Sequence, residues 1–134
     1  MSPPAAVSQK PTRLVVIGAG AWGTAIAIHC ANRTSSAAQV TLLCRSELSA
    51  QTLRNSRENA AYLPKQTLPA ALNIASDIGV LREADFAFIV TPVAGLTAAL
   101  LLAQAHGAKA VVWLCKGLDA NTGQLPYEIG RAHV

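Results

Sequence analysis

Aromatic residues are scarce: two Trp, two Tyr and two Phe make up 4% of the 134 residues. That leaves no stacking platform for bases, and the basic residues do not supply a nucleic-acid face either. Arg13, Arg33, Arg45, Arg54, Arg57, Lys65, Arg82, Lys109 and Lys116 fall singly along the chain, so the net charge of +4 is spread out and suits at most a small anionic ligand. Cysteine is also sparse. Cys30, Cys44 and Cys115 are far apart, with no CxxC pair and no His at ligand spacing. This excludes a disulfide framework and a metal site, and it reads as a reducing cytoplasm where thiols act as small buried hydrophobes. Charged residues are only 13%, against 51% hydrophobic, too apolar for a disordered tail and too irregular for a coiled coil. Residues 1–12, with three prolines and no apolar core, read as a flexible leader and not a signal peptide. The uncharged run from Phe86 to Ala105 has the length of a membrane span, but Pro92 and Gly95 interrupt it, and a buried strand followed by an apolar helix explains it more simply. No membrane partner is expected.

What is present is alternation. Short β-branched runs are separated by longer helical stretches in a chain long enough for one domain. Strands are expected at Leu14 to Ile17, Val40 to Cys44, Asn73 to Ala75, Phe86 to Val90 and Ala110 to Cys115. Helices are expected at Trp22 to Asn32, an uncharged stretch calling for burial along much of its length, at Glu47 to Asn59, and at Leu96 to Ala105 with Gly107 at its C-cap. Asp77 to Arg82 reads as a helical turn, Pro64 and Pro69 as an irregular connection, and Gln124 to His133 as the start of a further helix. Such alternation gives an α/β, doubly wound parallel sheet of the Rossmann type. With strand order 3-2-1-4-5, ligands bind at the carboxyl ends of the strands, beside the first and fourth. Gly18, Cys44 with Arg45, Thr91 with Pro92, and Cys115 with Lys116 stand there.

Gly18-Ala19-Gly20-Ala21-Trp22-Gly23 fits GxGxxG between the first strand and its helix. Gly18 permits the tight turn, Gly20 lets a pyrophosphate approach the backbone, and Gly23 lets helix and strand pack closely, while the helix N-terminus offers bare amides to phosphate. The alternative is a tight βα turn with no ligand. Past the second strand, where an acidic residue would hold ribose hydroxyls, the chain has Cys44-Arg45-Ser46. Arg45 can grip a 2′-phosphate, which favours NADPH over NADH, and Glu47 is late enough to cap the following helix instead. The three histidines have no catalytic pattern.

Beyond these patterns, GAGAWGTAIA at 18–27, the Asn59-Ala60-Ala61-Tyr62-Leu63-Pro64 stretch, Ala75-Ser76-Asp77, Ala84-Asp85, Thr91-Pro92, and Trp113-Leu114-Cys115-Lys116-Gly117-Leu118 with Thr122-Gly123 occur in order. Together they resemble the N-terminal domain of bacterial NAD(P)-dependent glycerol-3-phosphate dehydrogenase, over residues 13 to about 130. The resemblance implies hydride transfer between a nicotinamide cofactor, NADPH or NADH, and dihydroxyacetone phosphate or sn-glycerol 3-phosphate, for phospholipid synthesis in the cytoplasm, and it admits a homodimer. It places Gly18, Gly20, Ala21, Trp22, Gly23, Arg45 and Pro92 at the cofactor and Lys116 at both cofactor and substrate. A cation at the end of the fifth strand also suits an anionic substrate and a developing oxyanion. Lys109, at the other end of that strand, serves as a contrast without a role.

Ala21 stands where the family commonly has Ser, and Leu43 where it often has Trp. The general-acid lysine and the helical substrate domain of the family have no counterpart here, so no catalytic residue is expected in this chain and the Rossmann domain, 13–134, is expected to lack its last strand. The fifth strand then forms a bare apolar edge. Two other readings compete: a non-catalytic dinucleotide-binding regulatory module, and another oxidoreductase such as a hydroxyacid dehydrogenase or ketopantoate reductase. The KGL-x₃-TG element argues against the first and the NxxYLP segment against the second.

Overall fold

Val15, Val16 and Ile17 are buried in succession, which requires cover on both faces of the strand that carries them. The computed structural model describes residues 10–33, 37–117 and 119–133. Residues 1–9 of the expected leader, Leu118 and Val134 lie outside the described residues. The order is β1 (Thr12–Ile17), α1 (Ala21–Arg33), β2 (Ala38–Leu43), α2 (Glu47–Ser56), β3 (Glu58–Asn59), β4 (Leu63–Thr67), β5 (Asn73–Ala75), a 3₁₀ helix at Ile78–Glu83, β6 (Phe86–Ile89), a 3₁₀ turn at Val93–Gly95, α3 (Leu96–Ala105), β7 (Ala110–Trp113) and α4 (Pro126–Ala132). Thr12 already belongs to β1, its N–H bonded to the Ala37 carbonyl at 2.9 Å, so the first strand begins two residues earlier than expected.

The sheet order is β5-β2-β1-β6-β7, all parallel, which is the expected 3-2-1-4-5 arrangement. Alternation along β1 divides the core. Val15 and Ile17 pack with Leu96, Ala99, Leu100 and Ala103 of α3 and Ile129 of α4, while Val16 packs with Ala27 and Ala31 of α1 and Ala50 and Leu53 of α2. Each such side chain taken from water contributes about 1.5–3 kcal/mol, which fixes the register because a one-residue slip would exchange the faces. The Phe86 to Ala105 run divides into β6, a turn and α3, and no helix among the described residues is long and apolar enough to cross a membrane.

Three expectations are corrected. Helix α2 ends at Ser56 because Arg57 turns left-handed (φ 53°) and returns its N–H to the Leu53 carbonyl. The stretch around Pro64 is a hairpin, β3 paired antiparallel with β4, and not an irregular connection. Helix α1 buries Gly23, Thr24, Ala27 and Ala31 but leaves Trp22 and His29 exposed, so its lack of charge overstates its burial. Gly107 does sit in a left-handed conformation (φ 81°) just past α3. Strand β7 is the sheet edge among the described residues, and Val112 on it is exposed.

At the amino edge Asp85 ties three strands, accepting the Arg13 N–H at 2.8 Å and the Lys109 ammonium at 2.9 Å. Lys109 chiefly, then the Arg13 amide, holds the Asp85 carboxyl below its ordinary range. A depressed carboxylate contributes stability above its unfolded-state pKa and loses it as pH falls through the folded value. We therefore expect Asp85→Asn to lower the urea midpoint at pH 7, with the gap to wild type closing as acid protonates Asp85 in the wild type. A gap independent of pH would contradict this.

Candidate functional site

The carboxyl ends of the strands lie in one row, because Ala75, Leu43, Ile17, Ile89 and Trp113 are register partners across the sheet. The backbone continues the row: Cys44 N–H donates to the Ala75 carbonyl at 2.7 Å, Val90 to Ile17 at 2.8 Å and Leu114 to Ile89 at 2.8 Å. Connections leave β1 toward β2 on one side, and β6 and β7 lie on the other. A crevice between diverging loops follows from that topology.

The glycine loop lies over it. Gly18 has φ 119°, and a Cβ there would stand 2.7 Å from the Val90 carbonyl oxygen; one on Gly23 would stand 1.8 Å from the Gly18 carbonyl oxygen. Neither position tolerates a side chain. Gly20 is different, since a Cβ on it would meet nothing within 4 Å. The space in front of it is therefore open, as an approaching phosphate requires. Thr24 is the residue whose N–H reaches the Gly20 carbonyl, at 3.0 Å, so the amides before it in the first turn have no helical acceptor. Helix α1 has no acidic residue in that turn. Helix α2, by contrast, is capped by the Ser46 hydroxyl on the Ser49 N–H and carries Glu47 in its first turn. Of these two N-termini, only that of α1 is left to receive an anion.

Asn59, on β3, is buried and donates from Nδ2 to the Ala19 carbonyl at 2.9 Å and to Thr24 Oγ1 at 2.8 Å. The sequence presented Asn59 only as part of a recurring stretch. A buried carboxamide forty residues from the loop it holds leaves no local signal.

Arg45 follows β2 and is exposed, without a hydrogen bond or ion pair of its own among the described residues. The carboxylate two positions on is already engaged. Glu47 accepts from Arg54 at 2.7 Å and from the Ser76 hydroxyl, and these bonds, Arg54 first, hold its carboxyl below the usual range. The expectation that Glu47 caps α2 is thereby corrected: Ser46 is the cap, and Glu47 joins α2 to the end of β5.

Across the crevice the indole of Trp22 donates from Nε1 to the Leu114 carbonyl at 3.0 Å, and the Lys116 ammonium lies over its ring, 4.3 Å from the centroid. The structure thus brings Trp22 and Lys116 together, with the indole spanning from the start of α1 to the end of β7. Such a cation over an indole gains about 0.5–1 kcal/mol when exposed. Pro92 is exposed at the end of β6, where its carbonyl accepts from Gly95 N–H at 2.8 Å and starts the turn into α3. Ala21 is exposed on the first turn of α1. Burial raises both nearby thiols, Cys44 and Cys115, above the ordinary thiol range, which favours their protonated form. Lys109 stands at the opposite edge, paired to Asp85.

The sequence model of the family described as NAD-dependent glycerol-3-phosphate dehydrogenase N-terminus matches residues 13–134. A glycerol-3-phosphate dehydrogenase [NAD(P)+] of Delftia acidovorans is 49% identical over 109 residues, 80% of this chain and 32% of the relative. One from Acidovorax sp. (strain JS42) is 40% identical over 120 residues, 87% of this chain and 36% of the relative. The chain therefore spans about a third of the length of these curated relatives. Among solved structures, the glycerol-3-phosphate dehydrogenase of Coxiella burnetii superposes with a TM-score of 0.78 at 23% identity, covering 93% of this chain and 38% of that one. At that identity the likeness establishes the fold.

The geometry separates the glycines by role. Gly23→Ala is expected to destabilise the chain by about 3 kcal/mol, because its Cβ meets backbone, whereas Gly20→Ala should leave the unfolding free energy from urea titration within about 1 kcal/mol of wild type. Equal losses for both would contradict the open space at Gly20.

Proposed function

Because this chain belongs to the family of NAD-dependent glycerol-3-phosphate dehydrogenase N-terminal domains, we propose that it is the cofactor-binding part of an NAD(P)-dependent sn-glycerol-3-phosphate dehydrogenase. The observation that carries the reading is the open space at Gly20 beside the uncapped first turn of α1. A diphosphate fits there, held by backbone amides and the partial positive charge of the helix end. Held by the amides of Gly20, Ala21 and Trp22, the coenzyme would supply the hydride chemistry that interconverts dihydroxyacetone phosphate and sn-glycerol 3-phosphate at the central carbon.

The chain's own residues bind and orient. Gly18 and Gly23 close the loop onto β6 and α1, Gly20, Ala21 and Trp22 present amides to the phosphates, and Pro92 bounds the far side of the crevice. Lys116, resting on Trp22, supplies positive charge at the end of β7 for an anionic substrate. With Ala21 in place of a hydroxyl residue, the phosphates rely on the backbone there. The reaction's general acid belongs, in this reading, to the helical domain of the longer family members, and residues 13–134 form the dinucleotide domain. The reading also places the protein in the cytoplasm, where free thiols such as Cys44 persist.

NADPH is the proposed preference. Support comes from both neighbours of the adenosine end: Arg45 is free to meet a 2′-phosphate, and Glu47, committed to Arg54 and Ser76, does not offer its carboxylate to ribose hydroxyls.

Calorimetric titration of the chain with both coenzymes tests this reading. NADPH is expected to bind about tenfold or more tightly than NADH, and Arg45→Asp to reverse the order. Lys116→Ala should weaken coenzyme binding while costing the fold no more than about 0.5–1 kcal/mol, the value of its contact with Trp22. Failure of both coenzymes to bind overturns the reading, and equal affinities overturn the NADPH preference alone.

A further inference from the structure

We propose that Asn59 is a positioning residue that aims the phosphate-binding amide of the glycine loop, an inference that rests on the dinucleotide-binding reading above. A carboxamide nitrogen carries two hydrogens, and both are used, on the Ala19 carbonyl at 2.9 Å and on Thr24 Oγ1 at 2.8 Å. The donor and the Thr24 acceptor are buried, 4% and 0% exposed, so water does not replace that bond when it is lost, and the bond to the Ala19 carbonyl is part-buried.

The Ala19 carbonyl is one half of the Ala19–Gly20 peptide. A peptide unit is planar and trans, so its C=O and N–H point opposite ways. Holding the oxygen toward Asn59 therefore turns the Gly20 N–H away from Asn59, and the residue that carries it is the glycine with open space before it. The next carbonyl is held as well, because Gly20 accepts the Thr24 N–H at 3.0 Å and Thr24 in turn accepts from Asn59. The two peptides that flank Gly20 are thus set by one closed network, and the network is anchored outside the loop.

The anchor is the β3–β4 hairpin. Asn59 pairs with Leu63 and accepts the Tyr62 N–H at 3.2 Å. Arg57, just before β3, accepts the Leu68 N–H at 2.7 Å, and its guanidinium donates to the carbonyls of Pro69 and, at 3.0 Å, Leu72. Leu68 and Leu72 are buried in the core, so the hairpin base is fixed from the body of the domain. A flexible glycine loop gains in this way a rigid external reference.

The test uses the whole chain and NADP⁺, which survives acid, titrated calorimetrically from pH 5 to 8 into wild type, Asn59→Leu and Asn59→Asp, with folding checked by circular dichroism. The partners of the Asn59 side chain, a backbone carbonyl and a Thr hydroxyl, do not titrate, and its ionisable sequence neighbours Arg57 and Glu58 are present in all three proteins. Relative to wild type at the same pH, Asn59→Leu is expected to bind about tenfold more weakly throughout. Asn59→Asp is expected to approach wild type at the acid end, where its protonated carboxyl donates one bond, and to fall about tenfold or more behind at pH 8. Folded variants that bind as wild type, or an Asp variant whose deficit ignores pH, overturn the inference and leave the dinucleotide reading standing. No binding by wild type overturns that reading first. Should a variant not fold, wild type decides by NMR: the Asn59 side-chain amide protons stay protected while NADP⁺ shifts the Gly20 amide, and loss of that protection on binding overturns the proposal.

Discussion

The contact between the Gly18 carbonyl oxygen and the α-carbon of Gly23, which leaves 1.8 Å for any added Cβ, is the constraint from which the site follows. It brings the first turn of α1 directly onto the end of β1. Because β1 is the central strand, paired to β2 on one side and β6 on the other, that approach sets the helix N-terminus at the point where the sheet order reverses. The same closeness puts Gly18 against the Val90 carbonyl, so loop and β6 fit only while both glycines lack side chains.

Two ways of treating a helix N-terminus occur within thirty residues of each other. Helix α2 satisfies its own, through Ser46 on the Ser49 amide and Glu47 in the first turn. Helix α1 does neither, and the loop is held from behind: Asn59 takes the Ala19 carbonyl, and Thr24 of α1 itself the Gly20 carbonyl. Unspent amides at α1 are thus compatible with an ordered loop, because the order comes from carbonyl partners and not from those donors. On the far side of the crevice Trp22 reaches the Leu114 carbonyl, which links the start of α1 to the end of β7 and gives Lys116 a surface to lie on.

Periodicity made the parallel sheet legible in the sequence. The buried triplet Val15 to Ile17, the Leu/Ala stretch of α3 and the turn glycine at 107 are local signals, and each element appears where those signals place it. The glycine loop was legible for the same reason, since its demands are set within six residues. What escaped were features fixed by tertiary contacts. The β3–β4 hairpin contains Pro64 and mostly exposed side chains, and it holds because Arg57 and Asn59 reach backbone carbonyls elsewhere in the fold. Glu47 read as a helix cap by position, but Ser76, brought beside it by β5, and Arg54 claim its carboxylate. The joining of Trp22 to Lys116 spans most of the chain and was visible only as two separate candidates.

A crystal structure of this chain grown with NADPH tests the central claim most directly. The account predicts diphosphate oxygens within hydrogen-bonding distance of the backbone nitrogens of Gly20, Ala21 or Trp22, against the first turn of α1. Coenzyme bound elsewhere, with those three amides facing solvent or a protein side chain, would contradict it.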